Sequence, residues 1–222
     1  MSQLPDFKAI IFDMDGLIID TETTYFAAWQ QAATALGYHI SDSFCVSLSG
    51  LDFSLIEVKL AEYFSVSFPF KEFYSLSARI WRARAEREGI AVKKGVHDLV
   101  SVLHAREIPY CLATNSPELN ARECLQYAAV DDLFTKMVCR DHVQMPKPAP
   151  DLFLQAARVL QQPIENCLVI EDSLIGLLAA SNANAFSVLV PSMPDTDGRM
   201  QGLAGVVVND LIELSVMIKP AY

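Results

Sequence analysis

Basic side chains and long apolar runs are both scarce in this sequence of 222 residues. Its 17 Lys and Arg stand against 27 Asp and Glu, so the formal net charge is −10 at pH 7. Nucleic acids and anionic membranes bind basic surfaces, so we expect neither as a partner. The first apolar stretch stops at Asp13 with no basic segment before it, and none approaches the roughly 20 residues of a membrane span. A signal peptide is therefore not expected.

Cysteine and histidine are also sparse and scattered. The five cysteines form no CxxC pair, and the four histidines do not stand at HExxH spacing. This argues against a zinc ribbon and a disulfide framework, and it favours a reducing compartment, so the cytoplasm is the expected location. Hydrophobic residues, in contrast, make up 52% of the chain. That is enough to bury the core of one large domain, or of one domain with an insert.

Short apolar runs alternate with helical patterns over most of the chain. Continuous apolar runs are typical of strands that a parallel sheet buries on both faces. They occupy residues 7–12, 109–113, 167–170 and 185–190, with weaker runs at 135–139 and 206–208. Helical spacing occupies residues 96–107, 119–129, 152–160 and 173–182, and a loop is predicted over 191–202. The alternation predicts right-handed strand–helix–strand units, and hence an α/β fold with a parallel sheet between helices.

One stretch interrupts this alternation. Between Asp20 and Val92 the sequence has helical periodicity and no convincing buried strand. Helices are predicted over residues 23–36, 53–64 and 70–88, and the first and last of them stop at a glycine. We therefore predict a helical insert over residues 21–91, placed after the first strand of a core that residues 1–20 and 92–222 form.

Small polar clusters follow the apolar runs or open the helices between them. The clusters are Asp13 with Asp15, residues 114–116, Lys147, and Glu171 with Asp172. The carboxyl ends of parallel strands form the ligand crevice of an open sheet, so these groups are expected to meet at one edge. Crowded carboxylates need a cation, and an oxygen-only set favours Mg²⁺. An anion held by a metal, a lysine and a hydroxyl is most simply a phosphoryl group.

The sequence resembles the haloacid dehalogenase superfamily, in its phosphatase and β-phosphoglucomutase-like branch. The resemblance covers essentially the whole chain. Four motifs in the family's order carry it: residues 13–16 (Asp-Met-Asp-Gly), 114–115 (Thr-Asn), 147–148 (Lys-Pro) and 171–173 (Glu-Asp-Ser). The resemblance implies a Rossmann-like parallel sheet flanked by helices, with the first and fourth strands as neighbours. It also implies that the insert at residues 21–91 is a small α-helical cap domain, which closes over the site and excludes water.

The resemblance assigns roles to the acidic residues. Asp13 corresponds to the nucleophile, which forms an aspartyl-phosphate and also binds Mg²⁺. Asp15 corresponds to the general acid and base, and its backbone carbonyl binds the metal. Asp172 corresponds to a direct Mg²⁺ ligand, and Glu171 to a ligand that acts through water.

The resemblance also implies which residues hold the substrate. Thr114 and the backbone N–H of Asn115 correspond to the groups that bind the phosphoryl oxygens. Lys147 corresponds to the cation that neutralises both the phosphoryl group and Asp13. Gly50 stands in the cap loop that contributes to substrate binding. These assignments predict a Mg²⁺-dependent phosphomonoester hydrolase for a small phosphorylated metabolite, such as a sugar phosphate, and a monomer is expected.

Three other functions fit parts of the pattern. The mutase branch has a histidine where this chain has Tyr25, and an arginine where it has Phe53. Without that arginine the distal phosphate of a bisphosphate lacks its clamp, which favours hydrolysis over a β-phosphoglucomutase-like phosphotransfer. Dehalogenation needs only the nucleophilic aspartate, so the presence of Asp15 two residues after Asp13 argues against that activity. A non-catalytic metal-binding protein on the same fold is the remaining alternative, because fold alone does not define function.

Overall fold

The computed structural model describes residues 3–48, 51, 53–64, 68–192 and 198–218, with only the backbone of residues 53 and 54. In this part of the chain, six strands form one sheet: β1 (Ala9–Phe12), β2 (Tyr110–Ala113), β3 (Met137–Val138), β4 (Cys167–Glu171), β5 (Phe186–Leu189) and β6 (Val206–Val207). All pairs are parallel, in the order β3-β2-β1-β4-β5-β6. The predicted parallel α/β sheet is confirmed, and so is the contact between the first and fourth strands.

Helices connect the strands. Those in the described residues are α1 (Thr21–Ala35), α2 (Asp42–Val46), α3 (Phe53–Tyr63), α4 (Phe70–Glu88), α5 (Val96–Ala105), α6 (Glu118–Tyr127), α7 (Asp151–Val159), α8 (Leu174–Asn182), α9 (Arg199–Leu203) and α10 (Leu211–Ile218). Among these residues, no helix combines the length and the apolarity that crossing a bilayer requires.

The sheet is buried on both faces, as its apolar strands require. In β1, Ile10 and Phe12 belong to one hydrophobic core, and Ala9 and Ile11 belong to the core on the opposite face. Residues of α5, α6 and α10 complete the first core, and residues of α7 and α8 complete the second. Side chains of β1 alternate between the two cores because successive residues of a strand point to opposite faces of the sheet. This alternation leaves the carboxyl ends of the strands as the place where polar side chains can collect.

Of the five described helices between β1 and β2, the first four, α1 to α4, have a hydrophobic core of their own. That core includes Trp29, Leu60 and Phe73. The segment that leaves the sheet and the segment that returns to it are hydrogen-bonded to each other. Asp20 N–H donates to the Ala91 carbonyl (2.9 Å), and Lys93 N–H donates to the Ile18 carbonyl (2.9 Å). A helical insertion after the first strand is therefore present.

The structure differs from the sequence prediction in three short helices. The predicted loop over residues 191–202 is wrong at its end, because α9 begins at Arg199 after Gly198 adopts a left-handed conformation. Helix α2 was not predicted, because five residues are too few to show a period; its beginning is marked by the N-cap Ser41, whose hydroxyl accepts from the N–H of Phe44. Helix α10 was not predicted either, because it is apolar on most sides and carries little helical contrast.

Candidate active site

Asp13 and Asp15 lie at the carboxyl end of the central strand β1. The N–H of Asp13 donates to the carbonyl of Ile170 (3.0 Å), so pairing with β4 continues through this residue. The chain then turns at Gly16, whose φ of +84° favours glycine. A Cβ at this position would lie 2.2 Å from Oδ2 of Asp172. The two strand ends can therefore approach each other only because residue 16 has no side chain.

Glu171 and Asp172 lie at the end of β4, beside β1. Oε2 of the fully buried Glu171 accepts hydrogen bonds from the N–H groups of Asp172 and Ser173 and from the Ser173 hydroxyl, at 3.0–3.2 Å. The Ser173 hydroxyl in turn accepts from Gly176 N–H (3.1 Å), which caps α8. A Cβ on Gly176 would lie 1.8 Å from the carboxyl carbon of Glu171. The start of α8 thus fixes the Glu171 carboxylate.

Lys147 joins the two strand ends. It lies in the segment between β3 and α7, and its side chain is 3% exposed. Its ammonium donates to Asp13 Oδ1 (2.5 Å) and to Glu171 Oε1 (2.6 Å), and it lies 4.7 Å from the ring centre of Phe153. Burial lowers the pKa of the lysine, but the carboxylates of Asp13 and Glu171 together reverse this and raise its pKa above the usual value. The lysine is therefore charged at neutral pH.

One ammonium does not balance the charge of three carboxylates. Oxygens of Asp13, Glu171 and Asp172 lie within 4.8 Å of one another, and all three residues are buried. Burial raises the pKa of Asp13 and of Asp172 well above the usual value; at Asp13, Lys147 opposes this and Glu171 adds to it. The ionised set therefore needs a further cation. Its oxygen-only ligands, crowded around one point, fit a hard divalent metal ion.

A second acidic group fits a metal less well. Glu118, Asp141 and His142 also bring ligating atoms within 4.8 Å, but this group lies at the surface. Glu118 already accepts two hydrogen bonds from Arg122 and pairs with His142. Its negative charge is thus compensated by neighbouring side chains, and the buried group at the ends of β1 and β4 is the better candidate.

Three hydroxyl groups hold the Asp15 side chain. Thr21 donates to Oδ1 (2.6 Å), and Thr114 and Ser116 donate to Oδ2 (3.0 Å each). Thr21 is the first residue of α1, whereas Thr114 and Ser116 follow β2. Asp15 therefore contacts both the sheet edge and the beginning of the helical insertion.

Thr21 was not predicted to lie in the site, and Ser116 was predicted to lie there only as part of the polar cluster at residues 114–116, with no role of its own. The predicted start of α1 at residue 23 left Thr21 outside the helix, although Asp20 is a good N-cap and its side chain accepts from Thr23 N–H. Ser116 lies two residues after Thr114, a spacing that placed it close to the site. The direction of its side chain, however, could not be predicted from the sequence.

The structure describes three of the four predicted substrate-binding residues, and these three lie at the same edge of the sheet. Thr114 is fully buried and lies beside Asp15, and Lys147 lies between Asp13 and Glu171. Asn115 lies at the same edge, but its side-chain amide bonds to the backbone of Lys147. Gly50 lies outside the described residues.

Tyr25 lies at the junction of α1, α4 and α6. Its ring stacks on Trp81 with centroids 5.0 Å apart and planes 10° apart. Its hydroxyl exchanges hydrogen bonds with Asn120 (3.0–3.2 Å) and contacts the Cys124 sulfur (3.6 Å). Burial raises the pKa of the Tyr25 phenol, so this group stays neutral. An aromatic anchor thus stands at the position where the mutase branch is expected to have a histidine.

This arrangement, a parallel sheet with two acidic strand ends and a bridging lysine, agrees with a match to a family model. The model, described as haloacid dehalogenase-like hydrolase, matches residues 10–190. The chain belongs to this family. The predicted family is confirmed.

Relatives named as phosphatases confirm the predicted class of enzyme, a phosphatase. A Drosophila melanogaster protein named "Probable pseudouridine-5'-phosphatase" is 32% identical over 189 residues, which cover 82% of this chain and 80% of the relative. A "Phosphorylated carbohydrates phosphatase" of Thermotoga maritima is 28% identical over 200 residues, covering 90% and 92%. Among solved structures, a β-phosphoglucomutase of Clostridium difficile superimposes with a TM-score of 0.76 at 26% identity, covering 94% and 93%.

Proposed function

We propose that this protein is a Mg²⁺-dependent phosphomonoester hydrolase that acts on a small phosphorylated metabolite through an aspartyl-phosphate on Asp13. One observation carries the proposal: a buried carboxylate, Asp13, is bonded to an ammonium and stands among metal-fitting carboxylates. A second carboxylate, Asp15, lies two residues away and is held by hydroxyl groups. A nucleophile beside a separately held acid is what covalent phosphoryl transfer requires.

In the first step, a carboxylate oxygen of Asp13 attacks phosphorus and forms a P–O bond. The bond between phosphorus and the ester oxygen of the substrate breaks, and Asp15 donates its proton to that oxygen. The substrate's alcohol then leaves as a neutral molecule, and Asp15 is left as a carboxylate. The products of this step are the free alcohol and phosphorylated Asp13.

In the second step, water attacks the phosphorus of phosphorylated Asp13. Asp15 accepts a proton from this water, and the P–O bond to Asp13 breaks. Inorganic phosphate leaves, the Asp13 carboxylate is restored, and Asp15 is again protonated. Atoms and charges therefore return to their starting state after one turnover.

The other residues of the site bind and orient charge. Asp13, Asp172 and Glu171 would hold Mg²⁺, together with the backbone carbonyl of Asp15. The bound metal supplies positive charge that neutralises the carboxylates and the phosphoryl oxygens. Lys147 adds a second positive charge, already in contact with Asp13. With substrate bound, the Thr114 hydroxyl would turn its single proton from Asp15 to the transferring phosphoryl group, to which the Asn115 N–H would also donate.

We further propose that residues 21–91 are a cap and that residues 1–20 and 92–222 are the catalytic core. The separate hydrophobic core of α1 to α4 supports this division. So do the two adjacent backbone crossings at Asp20 and Lys93, where a cap could rotate. The hydrogen bond from Thr21 to Asp15 links the first residue of this cap to the acid of the site. Closure of the cap would exclude bulk water during the first step.

A sugar phosphate is the substrate class that we propose for the test. The name of the Thermotoga maritima relative, a phosphatase of phosphorylated carbohydrates, supports this choice. Tyr25 and Phe53, which stand in place of the mutase branch's histidine and arginine, favour hydrolysis over phosphotransfer to a second sugar hydroxyl. Gly50 and its neighbours in the cap loop would contribute to substrate binding. We propose a monomeric enzyme.

The test is phosphate release from a panel of sugar phosphates, nucleotides and small phosphorylated acids, with Mg²⁺ and with excess chelator. We expect Mg²⁺-dependent release from one substrate or a few related ones, and loss of that release with chelator. Release that persists in chelator would contradict the metal requirement. If the panel gives no release but a sugar monophosphate isomerises in the presence of its bisphosphate, the phosphotransferase alternative would replace the hydrolase.

A further inference from the structure

The lysine of the site lies in a segment with little regular structure of its own. Residues 143–150 form bends and turns between the short 3₁₀ turn at Arg140–His142 and α7. Prolines at positions 146, 148 and 150 have no N–H to donate, which prevents this segment from pairing as a strand. Within the segment, Ala149 N–H donates to the Pro146 carbonyl (2.8 Å) and closes a turn around Lys147, whereas the hydrogen bonds to the N–H and carbonyl of Lys147 itself come from outside the segment.

The side chain of Asn115 supplies two such contacts. Lys147 N–H donates to Asn115 Oδ1 (2.9 Å), and Asn115 Nδ2 donates back to the Lys147 carbonyl (3.4 Å). One amide thus satisfies both backbone groups of the same residue, as a neighbouring strand would. Because Asn115 directly follows the buried Thr114, this pair fixes the lysine relative to the end of β2.

A second amide supports the segment from another side. Asn182, at the end of α8, donates from Nδ2 to the Pro148 carbonyl (2.9 Å). Since α8 begins just after Glu171 and Asp172, the lysine segment is tied both to β2 and to the helix that follows the acidic pair. The far end of the Lys147 side chain then reaches Asp13 and Glu171 at 2.5 and 2.6 Å. Such short contacts depend on where the lysine backbone lies.

We propose that Asn115 is a positioning residue that acts through Lys147, and that its side chain does not recognise the leaving group of the substrate. The proposal rests on the proposed function, because Lys147 matters for turnover only if Asp13 is the nucleophile. It distinguishes the two parts of Asn115: the backbone N–H faces the phosphoryl group in the proposed mechanism, and the side chain holds the lysine. Loss of the amide would then slow the reaction equally for every substrate.

The experiment compares Asn115→Ala with Asn209→Ala. Asn209 is exposed, its amide bonds to Glu213 (2.8 Å), and it belongs to no part of the site. In Asn115→Ala we expect kcat to fall about 10- to 100-fold, because a displacement of about 1 Å costs on the order of 100-fold. The factor should be the same across phosphomonoesters with different leaving groups. Asn209→Ala should keep the wild-type kcat.

A second readout does not depend on activity. Hydrogen exchange of the Lys147 amide, measured by NMR, should be at least about tenfold faster in Asn115→Ala, because its acceptor is gone. It should be unchanged in Asn209→Ala. If Asn115→Ala does not fold, Asn115→Leu gives the same two readouts, since leucine is similar in size to asparagine and has neither an acceptor for the Lys147 N–H nor a donor for its carbonyl.

Two results would overturn the proposal. One is wild-type exchange at the Lys147 amide, which would mean that Asn115 does not hold this backbone. The other is a loss of activity that depends on the leaving group, which would make Asn115 a substrate contact. Failure of the proposed function would look different: Asp13→Asn would keep full activity, while the exchange measurement would still decide whether Asn115 fixes Lys147.

Discussion

Replacing Gly176 with alanine has two opposite effects on stability, a gain from helix propensity and a loss from displacing the Glu171 side chain. Alanine in place of glycine inside a helix usually stabilises a protein by up to about 1 kcal/mol. At Gly176, however, the new Cβ would lie 1.8 Å from the carboxyl carbon of Glu171. Glu171 would have to move away from Lys147 and from the N–H groups of Asp172 and Ser173.

The expected cost follows from these contacts. A hydrogen bond to a charged group contributes about 1.5–3 kcal/mol, and breaking a buried ion pair costs about 3–5 kcal/mol. The two are not additive, and the propensity gain offsets part of them. We expect Gly176→Ala to lower the free energy of unfolding by roughly 3 kcal/mol, which corresponds to roughly 6–12 °C in Tm for a chain of this size.

The assay is urea unfolding in excess chelator, so that metal binding does not contribute to either measurement. Gly202→Ala is the matched control, because Gly202 lies in α9 and, among the described residues, no heavy atom outside its own helix turn comes within 4 Å of an added Cβ. That variant should be unchanged or more stable by up to about 1 kcal/mol. Equal effects of the two substitutions would refute the reasoning, because Glu171 would then have room to accept a side chain at Gly176.

Three further predictions concern the acid, its support and the metal. Asp15→Asn should keep phosphate binding but lower kcat by at least about 100-fold, because an amide cannot move the proton; an unchanged rate across pH would contradict this. Thr21→Val should lower kcat roughly tenfold at constant KM, because Asp15 loses its 2.6 Å hydrogen bond; a rise in KM alone would contradict it. In the metal-free protein the folded-state pKa values of Asp13 and Asp172 lie above the unfolded value of roughly 3.9. Its stability should therefore fall as pH rises from that value through the folded pKa values, and Mg²⁺ should reduce this fall; chemical unfolding at several pH values, with and without Mg²⁺, checks it.

Much of the sheet could be predicted from the sequence because its strands are apolar throughout. The run at residues 167–170 matches β4, and the polar residues after it lie at the predicted edge. The observed strand ends differ from the predicted ones by one or two residues. A strand was predicted over residues 109–113, but β2 begins at Tyr110, because Pro109 has no N–H to pair. The two-residue strands β3 and β6 are too short for a pattern to define their bounds.

The acidic part of the candidate site was also predictable, whereas its supporting contacts were not. Strand order brings Asp13 next to Asp172, and this follows from the family's topology. The contact of Thr21 with Asp15 depends on where α1 begins, a boundary that sequence patterns define poorly. The pairing of Asn115 with Lys147 joins two segments 32 residues apart through side-chain direction, for which spacing gives no signal.

The central claim is that Asp13 carries the phosphoryl group during turnover. The direct measurement is a rapid-quench single-turnover reaction with a substrate labelled in its phosphoryl group, followed by peptide mapping of the acid-quenched protein. We predict label on the peptide that contains Asp13, formed and lost at rates that account for turnover, and neither label nor turnover in Asp13→Asn. Full hydrolysis without label on this peptide, or wild-type turnover by Asp13→Asn, would contradict the claim.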